Sequence, residues 1–243
     1  MIAVTDFHSH ILPGIDDGSA SIEESIQLLR MESRQGIRRV IATPHFYAQH
    51  DTPERFLRRR AEAEARLREE MKKHEDMPQL LVGAEVYFFS GISESDILPD
   101  LAIDGKRYVL VEMPHPPWTE AMYRELEAIH SKSGLTPIVA HVDRYISRFH
   151  NFKIPQRLAE LPVLVQANAE FFLHRSTASM ALRMLKQDMI HLLGSDCHDL
   201  KTRRPDLEAA LRLIGSRLGE EALERVIAYE QLVLDGDRSM QVV

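Results

Sequence analysis

Two histidines near the start of the chain have a spacing suited to binding a metal ion. Asp6, His8 and His10 follow residues 2–5, a short apolar stretch that predicts a buried β-strand. Side chains two residues apart on a strand share a face, so we expect all three to point the same way. Two imidazoles at this spacing, about 6–7 Å apart at Cα, can converge on one divalent cation. Two ordinary histidines near a strand end would give the same pattern, so the pair alone is weak evidence.

Histidines and carboxylates also follow most of the other strand-like segments. Apolar, β-branched runs predict six further strands, at residues 39–42, 80–84, 108–111, 136–140, 163–167 and 190–194. At or just after five of these strand ends come His45, Glu85, Glu112, His141, Asp196 and His198. A further carboxylate, Asp17, lies in the loop after the first strand.

Helix signals separate the strands. A capping box at Ser21 and Glu24 begins a helix that should end at Gly36. Further helices are predicted at residues 53–74 and 120–133, and as a pair broken near Gly219 after residue 205. Alternating strands and helices imply a parallel α/β fold, and we predict one domain of barrel size over residues 1–243. The candidate ligands then lie at the carboxyl ends of the strands, where barrel enzymes place their active sites.

Composition limits the classes of protein to consider. With 44% hydrophobic and 28% charged residues, the chain has the makeup of a soluble globular protein. A net charge of −7 argues against nucleic acid as the default partner, because phosphate backbones select basic surfaces. The one cysteine, Cys197, excludes an internal disulfide and fits a reducing compartment. We find no signal peptide and no apolar run of the roughly 18 residues that span a membrane, so we expect a cytoplasmic protein.

Position relative to the strands separates the candidate ligands from the other histidines. His191 begins its strand, so we expect it at the opposite face of the barrel in a structural role. Three histidines on or beside predicted helices are expected to be solvated: His74, His130 and His174. His50 and His150 lie in loops near the active face. His115 follows Glu112 closely and is a candidate for contacting a ligand or the substrate.

The candidate ligands are too many for one cation. They are His8, His10, Asp17, His45, Glu85, Glu112, His141, Asp196 and His198. Imidazoles and carboxylates together suit manganese, iron or zinc. The four carboxylates repel one another, which would raise their pKa values unless cations compensate. Arg144 and Arg203 each follow a ligand and could hold phosphate oxygens, although surface ion pairing is the other role that their positions allow.

Six motifs together resemble the polymerase and histidinol phosphatase (PHP) superfamily. They lie at residues 6–10, 12–18, 42–45, 83–87, 140–145 and 194–198. Within this superfamily the chain is similar to bacterial metal-dependent protein tyrosine phosphatases encoded with capsule and exopolysaccharide genes. That branch places carboxylates at the positions of Asp17 and Glu112, where other PHP proteins tend to have histidine.

The resemblance implies a fold, a metal site and a substrate. The fold is a distorted TIM-like (β/α)7 barrel, and the site holds three divalent cations, manganese or iron with zinc as the alternative. The first cation would be held by His8, His10, Glu85 and Asp196. The second would be held by Glu85, Glu112 and His141, and the third by Asp17, His45 and His198. The implied substrate is a phosphotyrosine protein, a bacterial tyrosine kinase of polysaccharide biosynthesis, and oligomerisation is left open.

The predicted reaction is hydrolysis of a phosphate monoester. A metal-activated hydroxide attacks phosphorus while Arg144 and Arg203 hold the phosphate oxygens. The family commonly has Arg-Pro-Pro where this chain has Arg203, Arg204 and a proline, so which arginine turns inward is open. Asp199 replaces a usual asparagine and adds a negative charge. Aromatic residues that could contact a phosphotyrosine ring, or simply pack, are Phe46, Tyr87, Phe88, Phe89, Trp118 and Tyr145.

Other functions remain compatible with parts of the sequence. A small-molecule phosphatase of the histidinol phosphate type would use the same ligands, and a nuclease would too, although the negative charge disfavours it. A non-enzymatic binding protein would be expected to have lost ligands. Cys197 and Arg203 also have the Cys-x5-Arg spacing of cysteine-dependent tyrosine phosphatases. The neighbouring Asp196 and Asp199 disfavour a thiolate, so we expect Cys197 to be packed and not nucleophilic.

Overall fold

Parallel β-strands form the centre of the protein. The computed structural model describes residues 4–146 and 153–235. Within these ranges the strands are β1 (Val4–Ser9), β2 (Ile37–Ala42), β3 (His45–Phe46), β4 (Gln79–Val82), β5 (Glu85–Tyr87), β6 (Tyr108–Glu112), β7 (Thr136–Val139), β8 (Leu164–Asn168) and β9 (Leu192–Gly194). Every strand pair is parallel, as the alternation of strand and helix signals predicts.

The strands occupy seven positions around a distorted barrel. One sheet has the order β1-β2-β4 and the other has the order β3-β5-β6-β7-β8-β9. β3 continues β2, and β5 continues β4, so each pair occupies one position. Hydrogen bonds between the two positions bridge the breaks: the amide of Gly83 donates to the carbonyl of Ala42 at 2.9 Å, and the amide of Glu85 donates to the carbonyl of Pro44 at 3.0 Å. The last strand returns to the first through a hydrogen bond of 2.9 Å from the amide of His10 to the carbonyl of Cys197. The predicted TIM-like α/β architecture is confirmed.

The α-helices lie along the chain between these strands and after the last of them. They are α1 (Ile22–Arg34), α2 (Pro53–Met71), α3 (Leu98–Leu101), α4 (Glu120–Ala128), α5 (Lys153–Leu158), α6 (Ala169–Leu173), α7 (Ala178–Lys186), α8 (Leu207–Leu218) and α9 (Glu220–Asp235). The hydroxyl of Ser21 accepts from the amide of Glu24 at 3.2 Å and caps α1 as predicted. Gly36, just after the C-cap residue of α1, has φ +81°, a conformation that glycine adopts without strain. Among the described residues, no helix is long and apolar enough to cross a membrane.

Two apolar layers hold the fold together. The larger one lies between the strands and the surrounding helices. The smaller one fills the barrel, where Phe7, Ile41 and Leu110 pack together, and Tyr229 and Val233 of α9 close it from one end. Helix α9 therefore acts as a plug, and the opposite end of the barrel, at the carboxyl ends of the strands, is left for polar side chains.

The first strand differs from its sequence prediction. It covers Val4–Ser9 and not residues 2–5, of which residues 2 and 3 lie outside the described part of the chain. The pairing of β1 with β2 is irregular between Asp6 and Ser9, which breaks the simple alternation of side chains. As a result the carboxylate of Asp6 lies near Glu32 and Cys197 and not with the histidines. The expectation that Asp6 points with His8 and His10 is wrong.

Candidate metal centre

The barrel fold brings all nine candidate ligands to one end of the molecule. His8 lies in β1, and Glu112 ends β6, while His45 and Glu85 begin the short strands β3 and β5. The remaining ligands, His10, Asp17, His141, Asp196 and His198, lie in the connections that follow β1, β7 and β9. Most are buried, but the side chain of Asp17 is 66% exposed and marks the side open to solvent.

A first group of side chains converges on a single point. The Nε2 atoms of His8 and His10 are 3.1 Å apart. Glu85 Oε2 lies 3.2 Å from the first and 3.3 Å from the second. Asp196 Oδ1 lies 3.5 Å from both. Two nitrogens and two oxygens this close around one point match the size of a site for one cation with ligands at about 2.1 Å.

Two more groups adjoin the first. His141 Nε2 lies 2.7 Å from Glu85 Oε1 and 3.6 Å from Glu112 Oε1. Asp17 Oδ1 lies 3.5 Å from the Nε2 atoms of both His45 and His198. The groups share members, because His45 Nδ1 also lies 3.0 Å from Glu85 Oε2. The cluster is therefore continuous, with Glu85 at its centre.

Several buried ligand atoms have no hydrogen-bond partner among residues 4–146 and 153–235. They are His45 Nδ1, Glu85 Oε2, Glu112 Oε2, Asp196 Oδ1 and His198 Nε2. A buried polar atom left unpaired costs about 1–3 kcal/mol, so this number of them in one place indicates a binding site. Nitrogen and carboxylate oxygen are donors that manganese, iron and zinc accept. The residues present therefore fit bound divalent cations.

The charged groups of the cluster shift one another's pKa values. Burial would lower the pKa of His10, but Asp16 and Glu85 raise it to about 10. Burial would raise the pKa of Glu85, but the surrounding histidines, His8 foremost, hold it well below its usual value. Burial and Glu85 raise the pKa of Glu112 to about 7. The predicted upward shift of the carboxylate pKa values therefore holds for Glu112 but is wrong for Glu85. It is also wrong for Asp196, because His8, His10 and Arg144 lower the pKa of Asp196 against the effect of burial.

Hydrogen bonds from outside the cluster orient its imidazoles. Asp16 accepts from His10 Nδ1 at 2.8 Å, which leaves Nε2 facing the cluster. The Oε1 atom of Gln166 accepts from the amide of His141 at 2.6 Å and lies 3.3 Å from His8 Nδ1. Neither residue was among the candidates predicted from the sequence. A signal for Gln166 existed, since one polar residue interrupts the apolar run of its strand, whereas Asp16 is hidden beside Asp17.

Both candidate phosphate-binding arginines reach the cluster. Arg144 donates from Nη2 to Asp196 Oδ2, and Arg203 Nη2 lies 2.7 Å from the same oxygen. Asn168 Nδ2 donates to it too, at 2.9 Å. These side chains line an open cavity of about 340 Å³ beside the cluster, and Arg204 lines it as well. Because Arg203 makes the contact with Asp196, it is the arginine that turns inward.

The backbone is constrained where ligands are presented. His141 and Asp196 have φ angles of +31° and +54°, which non-glycine residues rarely adopt and which are common at functional sites. A Cβ atom on Gly194 would lie 2.6 Å from the Cβ of His8 and 2.8 Å from Gln166 Nε2. The end of β9 therefore lies directly against a ligand, and this closeness requires glycine.

The other histidines lie outside the cluster. His191 Nδ1 accepts from the amide of Val165 at 2.9 Å, and its ring packs 4.7 Å from that of Tyr229, which confirms its structural role. Of the three helix-associated histidines, only His174 is exposed as predicted, and it contacts Ser176. His74 and His130 are half-buried, His74 against Arg30 and Glu70 and His130 against Thr136. His115 and His50 are exposed, and His50 lines the cleft beside His45. His150 lies outside the described residues.

Most of the aromatic residues singled out in the sequence belong to the core. Phe46 and Tyr145 are buried, and the hydroxyl of Tyr145 accepts from the amide of Met113 at 2.9 Å. Trp118 donates to the carbonyl of Pro114 at 2.7 Å, and Phe88 and Phe89 pack at the edge of the core. Tyr87 remains half-exposed beside the cluster. Tyr47 is half-exposed beside the cluster as well. It stands two residues after His45 but was not among the aromatic candidates predicted from the sequence.

The cysteine route finds no support in the geometry. Cys197 is fully buried, and burial together with Glu32 and Asp6 raises its pKa well above the usual value. A thiolate is therefore disfavoured, as predicted. The carboxylate of Asp199 accepts from the amides of Lys201 and Thr202 at 2.6 Å and from the Thr202 hydroxyl at 2.7 Å. Thr202 foremost lowers the pKa of Asp199 to about 2, so the carboxylate keeps its negative charge.

The fold and the cluster together define a metal-dependent hydrolase of the α/β-barrel class. Histidines, carboxylates and inward-turned arginines at the carboxyl ends of parallel strands are the features of that class. The chain belongs to the CpsB/CapC family of capsular polysaccharide synthesis, whose family model matches residues 4–233.

Named relatives and solved structures agree with this assignment. The tyrosine-protein phosphatase CpsB of Streptococcus pneumoniae is 30% identical over 251 residues, covering 94% of this chain and 99% of that protein. The tyrosine-protein phosphatase YwqE of Bacillus subtilis is 29% identical, covering 94% and 91%. A solved structure from a study of YwqE and CpsB as metal-dependent tyrosine phosphatases has a TM-score of 0.84 at 24% identity, covering 96% and 94%. Histidinol phosphate phosphatase of Lactococcus lactis shares the fold, with a TM-score of 0.53 at 17% identity, covering 88% and 92%.

Proposed function

We propose that this chain is a metal-dependent protein tyrosine phosphatase that acts on a tyrosine kinase of capsule or exopolysaccharide biosynthesis. The observation that carries the proposal is the cluster of unpartnered histidine and carboxylate atoms with two arginines beside it. Relatives named tyrosine-protein phosphatases align with 94% of the chain that bears this cluster. Residues 1–243 act as a single domain, in the cytoplasm where such a kinase would present its phosphotyrosines.

Three divalent cations occupy the site in this proposal. His8, His10, Glu85 and Asp196 hold the first, Glu85, Glu112 and His141 the second, and Asp17, His45 and His198 the third. The support is the short separation of ligand atoms within each group, from 2.7 to 3.6 Å for the nitrogen–oxygen pairs that define them. Manganese or iron suits this mixture of nitrogen and oxygen ligands, and zinc is the alternative.

The residues of the chain divide the chemical work. The cations would supply the Lewis acidity that makes water a nucleophile at neutral pH. Arg144 and Arg203 hold the non-bridging phosphate oxygens and stabilise the charge that develops as the ester bond breaks. Both guanidinium groups meet at Asp196 already, so they are positioned before the phosphate arrives. Asp16 and Gln166 keep the imidazoles of His10 and His8 in the required orientation. A phenolate leaving group, with a conjugate pKa near 10, needs little assistance from an acid.

A substrate screen with metal analysis tests the proposal. The purified, metal-loaded protein is assayed on a phosphotyrosine peptide, the matching phosphoserine peptide and histidinol phosphate. We expect hydrolysis of the phosphotyrosine peptide with the highest kcat/KM of the three. A protein that carries its metals and hydrolyses histidinol phosphate fastest would instead be a small-molecule phosphatase. One that hydrolyses none of the three would contradict enzymatic function of this kind.

A further inference from the structure

Two tyrosines each follow a candidate ligand by two residues. Tyr47 follows His45 by two residues, and Tyr87 follows Glu85 by two. His45 and Glu85 are direct partners in the pairing of β3 with β5, where Tyr87 ends β5 and Tyr47 is the first residue after β3. Side chains two residues apart share a face and are displaced by about 6.6 Å along the strand. The tyrosines therefore form a second layer, towards the mouth of the barrel, above the layer of ligands.

The ring geometry agrees with this layering. The ring centroid of Tyr47 lies 5.1 Å from that of His45 and 5.5 Å from that of Tyr87. Tyr87 is itself the strand partner of Glu112, so it borders the cluster on its other side. Both tyrosines remain half-exposed, in contrast to the buried Phe46 between His45 and Tyr47.

There is room for a ligand beside this layer. Tyr47, His45 and Asp17 line an open cleft of about 400 Å³. A cavity of roughly 150 Å³ is enough to take a benzene ring. The cleft thus offers space for an aromatic ring beside His45 and Asp17, two of the candidate ligands.

We propose that Tyr47, supported from behind by Tyr87, is the surface on which the aromatic ring of the substrate stacks. These two residues would then determine the preference of the site for aryl over alkyl phosphate esters. This inference rests on the proposed phosphatase function and specifies how its substrate class is selected. An alkyl phosphate reaches the same cations and arginines but has no ring to contact Tyr47, so only the aryl ester gains from the second layer. One well-placed aromatic contact corresponds to about tenfold in affinity.

Two inhibitors that differ only in the ring isolate this contact. Phenylphosphonate and methylphosphonate present the same phosphonate group to the metal-loaded enzyme and are not hydrolysed. We expect the wild type to bind phenylphosphonate more tightly than methylphosphonate. Tyr47→Leu and Tyr87→Leu should both reduce that preference, and the reduction should be about tenfold for Tyr47→Leu. Tyr47→Leu should raise KM for a phosphotyrosine peptide while the inhibition constant of methylphosphonate and the metal content stay unchanged. Tyr47→Phe, which keeps the ring, should keep the preference.

Tyr108→Leu is the matched control. Tyr108 is a half-buried tyrosine at the start of β6, at the opposite end of the strand from Glu112. It packs against the interior of the barrel, so its loss tests for general destabilisation without touching the second layer. An unchanged preference in folded Tyr47→Leu, or a wild type that does not distinguish the two phosphonates, would overturn the inference. Failure of the wild type to hydrolyse phosphotyrosine would instead overturn the proposed function, so the two failures are distinct.

Discussion

At the scale of single residues, Glu85 is the side chain on which the site depends most. Its carboxylate lies within 3.3 Å of four imidazoles, those of His8, His10, His45 and His141. It is fully buried, and against the effect of burial the surrounding histidines, His8 foremost, hold its pKa well below the usual value. Cations and protons therefore compete for the same atoms, and metal binding should release protons.

Replacing this residue should disturb more than one cation. Glu85→Ala removes ligand atoms from two of the proposed groups, so we expect the metal content per chain to fall by more than one ion and kcat to fall with it. Elemental analysis and steady-state rates measure both quantities. Glu94→Ala is the control, because Glu94 is an exposed glutamate that pairs with Lys132 away from the cluster. An active Glu85→Ala protein with all its metals would refute a bridging role.

The arginines should affect the reaction without affecting the metals. Arg144→Ala and Arg203→Ala each remove a donor to the phosphate oxygens, and we expect kcat/KM to fall by roughly 10²-fold or more while the metal content is retained. Arg204→Ala is the matched comparison, since Arg204 lines the same cavity and Arg203 makes the contact with Asp196. If Arg204→Ala is damaging and Arg203→Ala is harmless, the inward arginine has been assigned incorrectly.

At the scale of elements, the strand ends hold the ligands in place by close packing. The end of β9 touches His8 of β1, and Gln166 of β8 connects His8 to His141 after β7. Four neighbouring strand positions thus share one set of contacts. Movement of any one strand end would displace ligands on the others.

A methyl group at Gly194 should break this arrangement. In Gly194→Ala the new Cβ would lie 2.6 Å from the Cβ of His8, so the strand end must shift. We expect a loss of about 1–3 kcal/mol in the free energy of unfolding, together with reduced metal content. Chemical denaturation and elemental analysis test this. Gly215→Ala serves as the control, because the nearest atom to its added Cβ is the end of the flexible Leu223 side chain and alanine favours the helix. Equal stability of the two variants would contradict the packing argument.

The sequence allowed most strands and the candidate ligands to be predicted, because both depend on local patterns. Apolar β-branched runs mark strands, and a polar residue where a run ends identifies a ligand at the carboxyl end, as for Glu112. Features that depend on contacts between distant segments of the chain could not be predicted from local patterns. The hydrogen bonds of Gln166 and the second aromatic layer at Tyr47 exist only once the strands are paired. The irregular pairing after Asp6, which turns that side chain away from the histidines, also has no signal in the residue pattern.

At the scale of the whole molecule, the two ends of the barrel have separate tasks. Helix α9 plugs one end with apolar side chains, and the ligand cluster occupies the other. His191 lies at the plugged end, where its neutral ring accepts from the amide of Val165 and packs on Tyr229. Burial lowers its pKa to about 4 from the usual 6.5.

This shift predicts a pH dependence of stability that does not involve the metals. Between pH 6.5 and pH 4 the unfolded chain protonates His191 and the folded protein does not, so stability should fall as the pH is lowered. The contribution is roughly 2 kcal/mol at pH 5. His191→Asn keeps an acceptor for Val165 but does not titrate, so its stability should fall less steeply than that of the wild type. Denaturation of both proteins at pH 7 and pH 5 in the same manganese concentration measures the difference, and parallel losses would exclude this role for His191.

The most direct test of the account is whether activity depends on metals and not on the cysteine. Wild type and Cys197→Ser are stripped of metal with a strong chelator, and manganese is then titrated back while hydrolysis of a phosphotyrosine peptide is followed. We predict that both proteins lose activity completely and recover it in parallel as manganese binds, because the buried Cys197 takes no part in the reaction. A wild type that stays active without metal, beside a folded and metal-loaded Cys197→Ser protein that is inactive, would contradict the metal mechanism.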